Sequence, residues 1–452
     1  MLFNTPQFFV FLLVTLVLFY AAPRGWRKPL LLGASYFFYM SWNWRFAPLL
    51  LSLTAIDYTA ARWIQVTPSA PRRRALLIVS LAANLGFLAF FKYFNFLAGN
   101  VAVLTGRPES AFALRIVLPL GISFHTFQSI SYVVDVYRGQ QAAIRNVVDY
   151  ALFIAFFPQL VAGPIVRARD FFRDLYAWQA PTGQELNRGA LLVIFGLAKK
   201  MVIADPFSLI ADQYFGNIAA HPGMLPAWSG VLAFAVQIYF DFSGYTDMAI
   251  GMALLLGFHF PVNFRRPYLS AGIAEFWRRW HISLSLWLRD YLYVSLGGNR
   301  KGRWRTYANL VITMLLGGLW HGANWKFVVW GGYHGALLAL ERAVGRAIPR
   351  VLTFVLVSVG WVFFRAASLG QSLAVIGRLF HGPAGVGLWA RWQFYLVLGT
   401  LVLAILEEKF EWFEHLVKAP AWAYGAAMAV LLLGLELIGL TEVPVPFVYF
   451  QF

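Results

Sequence analysis

Long apolar runs separated by short polar loops dominate the chain, and their lengths predict its architecture. Because a helix needs roughly 20 mostly apolar residues to cross a bilayer, runs of this kind indicate membrane spans. We predict an all-α, polytopic membrane protein with about ten to twelve transmembrane helices, some of them short or broken. The runs lie at residues 6–22, 29–44, 47–61, 75–98, 113–134, 147–163, 189–204, 228–240, 308–320, 325–340, 351–364, 394–406 and 421–440.

The composition agrees with this pattern. Of the 452 residues, 60% are hydrophobic and 13% are charged, and the mean hydropathy is +0.63, which together exclude a water-soluble globular protein. We find no internal repeat and no hydrophilic stretch long enough for a soluble domain, so residues 1–452 are predicted to form a single multi-pass membrane domain. The first run lacks a preceding basic segment and further spans follow it, which favours a retained helix over a cleaved signal peptide.

The net charge of +17 does not indicate nucleic-acid binding, because the basic residues lie in short loops between spans. The positive-inside rule explains such loops as topology signals on the cytoplasmic side. The clusters lie at residues 24–28, 62–74 and 138–145, each separated from the next by two predicted spans. The chain has no cysteine, which excludes disulfides, thiolate nucleophiles and cysteine-based metal sites; we predict no metal site.

The most polar interval, residues 261–307, carries nine basic and two acidic residues between Arg265 and Arg305, a difference of +7. Written as one helix, residues 276–291 place aromatic and leucine side chains along one stripe, which predicts an interfacial or re-entrant amphipathic helix. The opposite face carries Arg278, His281, Ser285 and Arg289. These side chains either contact lipid headgroups or face a ligand, and His281 is the residue that makes a ligand-facing role competitive.

His321 is the strongest candidate for chemistry. It follows an almost uncharged run in "GGLWHGANW" and is surrounded by Gly317, Gly318 and Gly322, which allow a backbone or a substrate to approach closely. An ionisable group at membrane depth normally faces a bundle interior or a water-filled cavity and serves a reaction or a pathway. A neutral imidazole there is suited to act as a general base toward a hydroxyl group.

The other ionisable candidates have simpler explanations. Packed imidazoles, hydrogen-bonded to a neighbouring helix, are expected for His125, His259 and His334. Solvated side chains are expected for His221, His381 and His415. Structural pairing with a nearby arginine is expected for Asp241, Asp247 and Glu275. The chain contains no G-x-S-x-G elbow, no P-loop and no G-x-G-x-x-G, so serine hydrolysis and nucleotide-driven transport have no support.

Several stretches resemble the membrane-bound O-acyltransferase family, and within it the bacterial branch that O-acetylates exopolysaccharides such as alginate. They run from about residue 118 to the C-terminus, and the central block is highly specific. The stretches are "LPLGISFHTFQSISYVVDVYRG", "FFPQLVAGPIVR", "YFDFSGYTDMAIGMALLLGFHFPVNFRRPYLS", "FWRRWHISLSLWLRDYLYVSLGGNRKG", "GGLWHGANWKFVVWGGYHG" and the terminal "FVYFQF".

By this resemblance, His321 corresponds to the family's active-site histidine and His281 to its second characteristic polar position. The resemblance implies a helical ring around a thin central channel, where an acyl group from a cytoplasmic carrier meets its acceptor. It implies acetyl-coenzyme A as the donor and no permanently bound cofactor. The basic interval suits the phosphates of that donor, which makes Arg278, Arg279 and Arg289 candidate binding residues.

The implied setting is the bacterial inner membrane, with the acetyl group passed outward to a periplasmic partner transferase, a polysaccharide-export protein or the polymer itself. D-alanyl transfer to teichoic acid, and acetylation of peptidoglycan or cellulose, stay open within the same family. A transporter with His321 as a proton relay belongs to a different class, and the absence of repeated halves argues against it. A scaffold for polysaccharide export would leave both histidines dispensable.

Overall fold

The computed structural model describes residues 1–161, 163–439, 445 and 447. The described chain is built from α-helices, with short 3₁₀ and π segments, and none of the described residues forms a β-strand. The helices are α1 (Pro6–Ala21), α2 (Arg24–Asn43), α3 (Ala47–Val66), α4 (Ala70–Leu88), α5 (Phe94–Leu104), α6 (Ile122–Tyr137), α7 (Val147–Ala155), α8 (Phe157–Leu160), α9 (Ala168–Tyr176), α10 (Gly183–Ala198), α11 (Asp205–Gly216), α12 (Met224–Leu255), α13 (Ile273–Arg279), α14 (Ile282–Trp287), α15 (Gly302–His321), α16 (Trp325–Val344), α17 (Arg350–Arg365), α18 (Leu369–Phe380), α19 (Arg391–Phe410), α20 (Trp412–Val417) and α21 (Ala421–Ile438).

The predicted all-α, polytopic class is confirmed. Three described helical segments are long and apolar enough to cross a membrane: Ala70–Leu104, Met224–Leu255 and Ala421–Ile438. Pro6–Ala21 is also apolar but shorter. The larger number of spans stays a prediction, as does the ring around a channel. Of the terminal stretch "FVYFQF", only Phe447 lies within the described residues.

Two of the predicted spans are interrupted within their predicted bounds. The run 113–134 becomes helical only at Ile122, because Pro119 and Gly121 interrupt its first part, and Gly121 has a left-handed φ of 69°. The run 147–163 is interrupted at Phe156, whose ψ of 112° separates α7 from α8. Pro158, the second residue of α8, can start a helix but cannot continue one from α7.

The described chain divides into two compact units: residues 1–189 with 252–261, and residues 190–251 with 262–452. In the first unit, α3, α4 and α6 pack together. Their interface buries the Asp57 carboxylate, which accepts hydrogen bonds from the Ser80 hydroxyl (2.6 Å) and the Asn84 amide (2.8 Å). The burial of this polar group is tolerated because its oxygens are hydrogen-bonded.

The second unit contains every predicted site residue. Helix α15 packs along α16, which contacts α13, α17 and α18. The close approach of α15 to α16 depends on glycine: a Cβ on Gly318 would lie 2.2 Å from the Phe327 carbonyl oxygen, and one on Gly331 would lie 2.2 Å from that of Met314. Small residues at such contacts let two helix backbones approach closely. This packing positions the end of α15, where His321 lies.

Gly318→Ala is therefore expected to destabilise the protein by about 1–3 kcal/mol, the usual cost of overpacking a tight interior. The comparison variant is Gly399→Ala in α19, where an added Cβ meets nothing within 4 Å. Thermal unfolding of both purified variants in detergent measures the effect. We expect a clear fall in midpoint for Gly318→Ala and none for Gly399→Ala; equal midpoints would show that the α15–α16 contact tolerates a methyl group.

Candidate active site

His321 is the last residue of α15, and its imidazole lies in an aromatic enclosure. Only 5% of the residue is exposed. Its ring centroid is 5.0 Å from that of Trp320, 5.1 Å from that of Trp330 and 5.2 Å from that of Phe364. These rings leave little room for bulk water around the imidazole, which can accept a proton in its neutral form.

Lys326 holds one wall of this enclosure in place. Its buried ammonium group donates hydrogen bonds to the carbonyl oxygens of Phe364 (3.1 Å) and Ala366 (2.5 Å) at the end of α17. A cation is favoured there because the last carbonyls of a helix carry partial negative charge. The start of α16 is thus fastened to the end of α17, beside the Phe364 ring that contacts His321.

The chain does not form one helix over residues 276–291, so that prediction is wrong. Helix α13 ends at Arg279, Trp280 is extended, and His281 has a left-handed φ of 42° before α14 begins. Contacts from other parts of the chain fix the starts of both helices. The Glu341 carboxylate accepts hydrogen bonds from the first amides of α13, and Asn263 accepts those of Ile282 and Ser283 at the start of α14.

The break turns His281 inward. The residue is fully buried, rather than lying on the exposed polar face of an amphipathic helix. Its Nδ1 atom is 3.3 Å from the Asn263 Oδ1 atom, and the Phe242 ring meets it edge-on at 4.7 Å. Trp320 contacts both candidate histidines, with centroid distances of 6.3 Å to His281 and 5.0 Å to His321. The two predicted catalytic residues therefore belong to one aromatic cluster.

The three predicted donor-binding arginines differ in their surroundings. Arg278 is exposed, and no described residue forms an ion pair with it. Arg289 is also exposed and contacts Asp290, its neighbour in the chain, at 2.7 Å. Arg279 is instead held by the carboxylates of Glu275 (2.7 Å) and Glu408 (3.0 Å). Arg278 and Arg289 are therefore more accessible to an anionic ligand than Arg279.

The acidic residues named from the sequence are all paired, as expected, but two of them pair with lysine. Asp247 contacts Lys199 at 2.6 Å, and Glu275 contacts Arg279. Asp241 belongs to a buried network that was not predicted from the sequence. In this network the Lys200 ammonium lies 2.6 Å from Asp205 and 2.9 Å from Asp241, and all three side chains are 1% exposed. The signal was available, since "GLAKKMVIADP" places two lysines in an apolar run.

The remaining histidines correct two expectations. His125 and His334 are buried as predicted, but no described residue offers a hydrogen bond to any of their ring nitrogens. His259 is not a packed interior residue, because its side chain is 53% exposed in the loop after α12. Its ring nitrogens contact Asp174 at 3.2 Å and Glu185 at 3.0 Å.

These carboxylates give the His259 contact a defined pH dependence. The hydrogen bond to Glu185, followed by the charge of Asp174, raises the pKa of His259 above its usual 6.5. The hydrogen bond to His259 is the main reason that the pKa of Glu185 falls from 4.5 to about 2. Stabilisation from His259 is complete below pH 6.5 and is lost as the pH rises through its raised pKa, whereas that from Glu185 is complete above pH 4.5.

We therefore expect His259→Gln to lower the thermal unfolding midpoint more at about pH 5.5 than at about pH 8.5. The change in unfolding free energy should stay below about 1 kcal/mol, because more than half of the side chain is exposed to screening solvent. The measurement is the difference between wild type and variant at each pH, with the exposed His415→Gln as the control. A difference that does not vary with pH would rule out this ionic contribution.

Comparison with known proteins gives consistent matches. The sequence model of the family described as MBOAT, membrane-bound O-acyltransferase, matches residues 74–377. A probable alginate O-acetylase, AlgI, of Pseudomonas aeruginosa is 45% identical over 442 residues, which cover 93% of this chain and 83% of that protein. A peptidoglycan O-acetyltransferase of Helicobacter pylori is 38% identical, covering 86% and 81%. A teichoic acid D-alanyltransferase of Bacillus subtilis is 31% identical, covering 48% and 58%.

Proposed function

The chain belongs to the membrane-bound O-acyltransferase family, and from this premise we propose that it transfers acetyl groups from acetyl-coenzyme A to an exported polysaccharide of the alginate type. The acyltransferase activity follows from the family. The choice of acetyl donor and alginate acceptor is supported by the similarity to alginate O-acetylases, which covers 93% of this chain. The proposed site is supported by the position of His281 and His321 in one buried aromatic cluster.

In the proposed reaction, His321 is the general base. A ring nitrogen takes the proton from the acceptor hydroxyl, whose oxygen attacks the thioester carbonyl carbon. The new C–O bond forms as the C–S bond breaks, and the thiolate of coenzyme A leaves with the proton that the imidazole returns. A positioned base of this kind contributes roughly 10² to 10⁴ in rate. His281 supports the acceptor side of the same site.

The basic interval 265–305 supplies the donor's docking surface in this proposal. Arg278 and Arg289 are exposed and suited to the phosphates of coenzyme A, because a guanidinium can bind a phosphate through two parallel hydrogen bonds. Arg279 would join them only by leaving Glu275 and Glu408. The interval faces the cytoplasm in this arrangement, where acetyl-coenzyme A is made.

The acceptor lies on the opposite side of the inner membrane in this proposal. The acetyl group reaches the polymer directly or through a periplasmic partner, either an acetyltransferase or a polysaccharide-export protein. Peptidoglycan is the second candidate acceptor, because a peptidoglycan O-acetyltransferase aligns with 86% of the chain at 38% identity. D-alanyl transfer has weaker support, since that relative aligns with only 48% of the chain.

Genetic complementation tests the proposal. The chain is expressed in an alginate-producing bacterium that lacks its own alginate O-acetylase, and ester-linked acetyl groups on the secreted polymer and on peptidoglycan are quantified separately. We expect acetyl groups to return to the alginate and to be absent when His321→Ala is expressed at the same level. Acetylated peptidoglycan with unmodified alginate would show that peptidoglycan is the acceptor. D-alanyl esters in place of acetyl esters would show that the donor carries D-alanine.

A further inference from the structure

Asn263 binds the beginning of α14 from the loop that follows α12. It is fully buried, and its backbone carbonyl accepts the Ile282 amide hydrogen at 2.9 Å. Its side-chain Oδ1 accepts hydrogen bonds from the Ser283 amide (3.0 Å) and the Ser283 hydroxyl (2.9 Å). The same oxygen lies 3.3 Å from His281 Nδ1. One amide oxygen therefore organises both the helix start and the imidazole.

The orientation of the Asn263 amide follows from chemistry. The Ser283 backbone N–H can only donate, so the side-chain atom 3.0 Å from it must be the oxygen and not the nitrogen. That oxygen can only accept, so His281 Nδ1 must carry a hydrogen in order to bond to it. In a neutral imidazole one nitrogen donates and the other accepts, and the partner of the first decides the role of the second. Nε2 is then the nitrogen with the lone pair.

We propose that Asn263 is a positioning residue that holds His281 as its Nδ1–H tautomer, so that the lone pair of the imidazole lies on Nε2. This inference rests on the proposed function and assigns a role to the second histidine of the same site. Asn263 also stabilises the left-handed φ of 42° at His281. This backbone conformation is energetically unfavourable for any residue other than glycine.

The fixed tautomer separates the roles of the two histidines. A hydroxyl carries one hydrogen, so the acceptor hydroxyl that gives its proton to His321 cannot also donate to His281. Nε2 of His281, which holds the lone pair in this tautomer, can accept a hydrogen bond but cannot donate one.

Asn263→Asp and Asn263→Ala distinguish this role from simple helix capping. Aspartate keeps the accepting Oδ1 oxygen, and the replaced Nδ2 atom has no hydrogen-bond partner among the described residues, so no contact is lost. A carboxylate at this position also stabilises the protonated form of His281, which a neutral amide does not. Alanine removes the oxygen altogether. Ser283→Ala is the matched control, because it removes one donor to Asn263 and leaves the contact with His281 intact.

The assay is acetyl transfer from labelled acetyl-coenzyme A to alginate in membrane vesicles of the complemented strain. We expect Asn263→Ala to lower the rate roughly 10- to 100-fold, because the imidazole loses the hydrogen bond that fixes its orientation and tautomer. Asn263→Asp should retain most of the rate while the acid limb of its pH profile moves to higher pH. Ser283→Ala should resemble wild type. Equal unfolding midpoints confirm that the variants fold, and if Asn263→Ala does not fold, the Asn263→Asp profile alone decides.

A spectroscopic measurement provides a readout independent of activity. Nitrogen-15 spectra of protein labelled at histidine, assigned with His281→Gln, should show a protonated Nδ1 at His281 in wild type and a mixture of tautomers in Asn263→Ala. The inference is overturned if wild-type His281 carries its hydrogen on Nε2, or if Asn263→Asp has the wild-type pH profile. Those results leave the proposed function intact. A fully active His321→Ala would instead contradict the proposed function and leave the tautomer of His281 undisputed.

Discussion

Replacing His321 with alanine is expected to lower acetyl transfer to alginate by a factor on the order of 10² to 10⁴, the contribution of a positioned general base. The imidazole is nearly enclosed by Trp320, Trp330 and Phe364, so buffer has little access to substitute for it. Initial rates in vesicles with labelled acetyl-coenzyme A, normalised to the amount of protein, measure the loss. Binding of the donor should change little, because the proposed phosphate contacts lie on Arg278 and Arg289.

The control for this prediction is His381→Ala, since His381 is exposed and follows the end of α18. It should retain the wild-type rate. Thermal unfolding of both variants checks that each remains folded, so that a lost rate is not confused with a lost fold. A His321→Ala protein that folds and transfers acetyl groups at the wild-type rate would contradict its role as the base.

Replacing Lys200 with methionine is expected to produce the largest loss of stability, about 3–5 kcal/mol, the usual cost of leaving a buried charge without its partner. The Lys200 ammonium lies 2.6 Å from Asp205 and 2.9 Å from Asp241, and all three side chains are 1% exposed. Methionine retains the length of the side chain but leaves two carboxylates buried side by side. Thermal unfolding of the purified protein measures the effect.

Lys199→Met is the matched control for the Lys200 variant. Lys199 pairs with Asp247, and the two side chains are 14% and 19% exposed, so solvent reduces the cost of separating them. We expect its midpoint to fall less than that of Lys200→Met. Adding Asp205→Asn and Asp241→Asn to Lys200→Met should restore part of the stability, because neutral amides do not repel each other. Equal midpoints for the two lysine variants would show that the buried network does not stabilise the fold.

Apolar runs predict the individual helices well where packing does not interrupt them. The runs 308–320 and 325–340 correspond to α15 and α16. The interval between the two runs, residues 321–324, places His321 at a helix end. The prediction succeeds because helical periodicity and the bilayer's requirement for apolar side chains select the same residues. The run 113–134 was predicted less well, because Pro119 and Gly121 terminate its helix locally.

The interior of the candidate site could be predicted only in part. The residue types surrounding His321 are visible in "GGLWHGANW", since an imidazole between glycines and tryptophans in an apolar run indicates a functional position. The burial of His281 could not be predicted, because it depends on Asn263, 18 residues earlier in the sequence. Helical periodicity alone assigned that residue to an exposed face. Contacts between distant residues override local periodicity wherever they supply the hydrogen bonds that a helix would otherwise make.

The same limitation applies to the arginines of the basic interval. Sequence shows their charge, but not that Arg279 is held by Glu275 and Glu408 while Arg278 is exposed. Glu408 lies 129 residues from Arg279. A count of nine basic and two acidic residues over 265–305 therefore overstates the charge that is available to a donor.

Transfer of label across sealed, inside-out membrane vesicles tests the central claim most directly. Labelled acetyl-coenzyme A is added to the outer medium, which contacts the cytoplasmic face, and a membrane-impermeant esterase identifies ester-linked label that remains accessible. We predict that wild type accumulates esterase-protected label on polymer in the lumen and that His321→Ala accumulates none. Label confined to the donor side, or luminal label that is unchanged in His321→Ala, would contradict transfer through the buried histidine site.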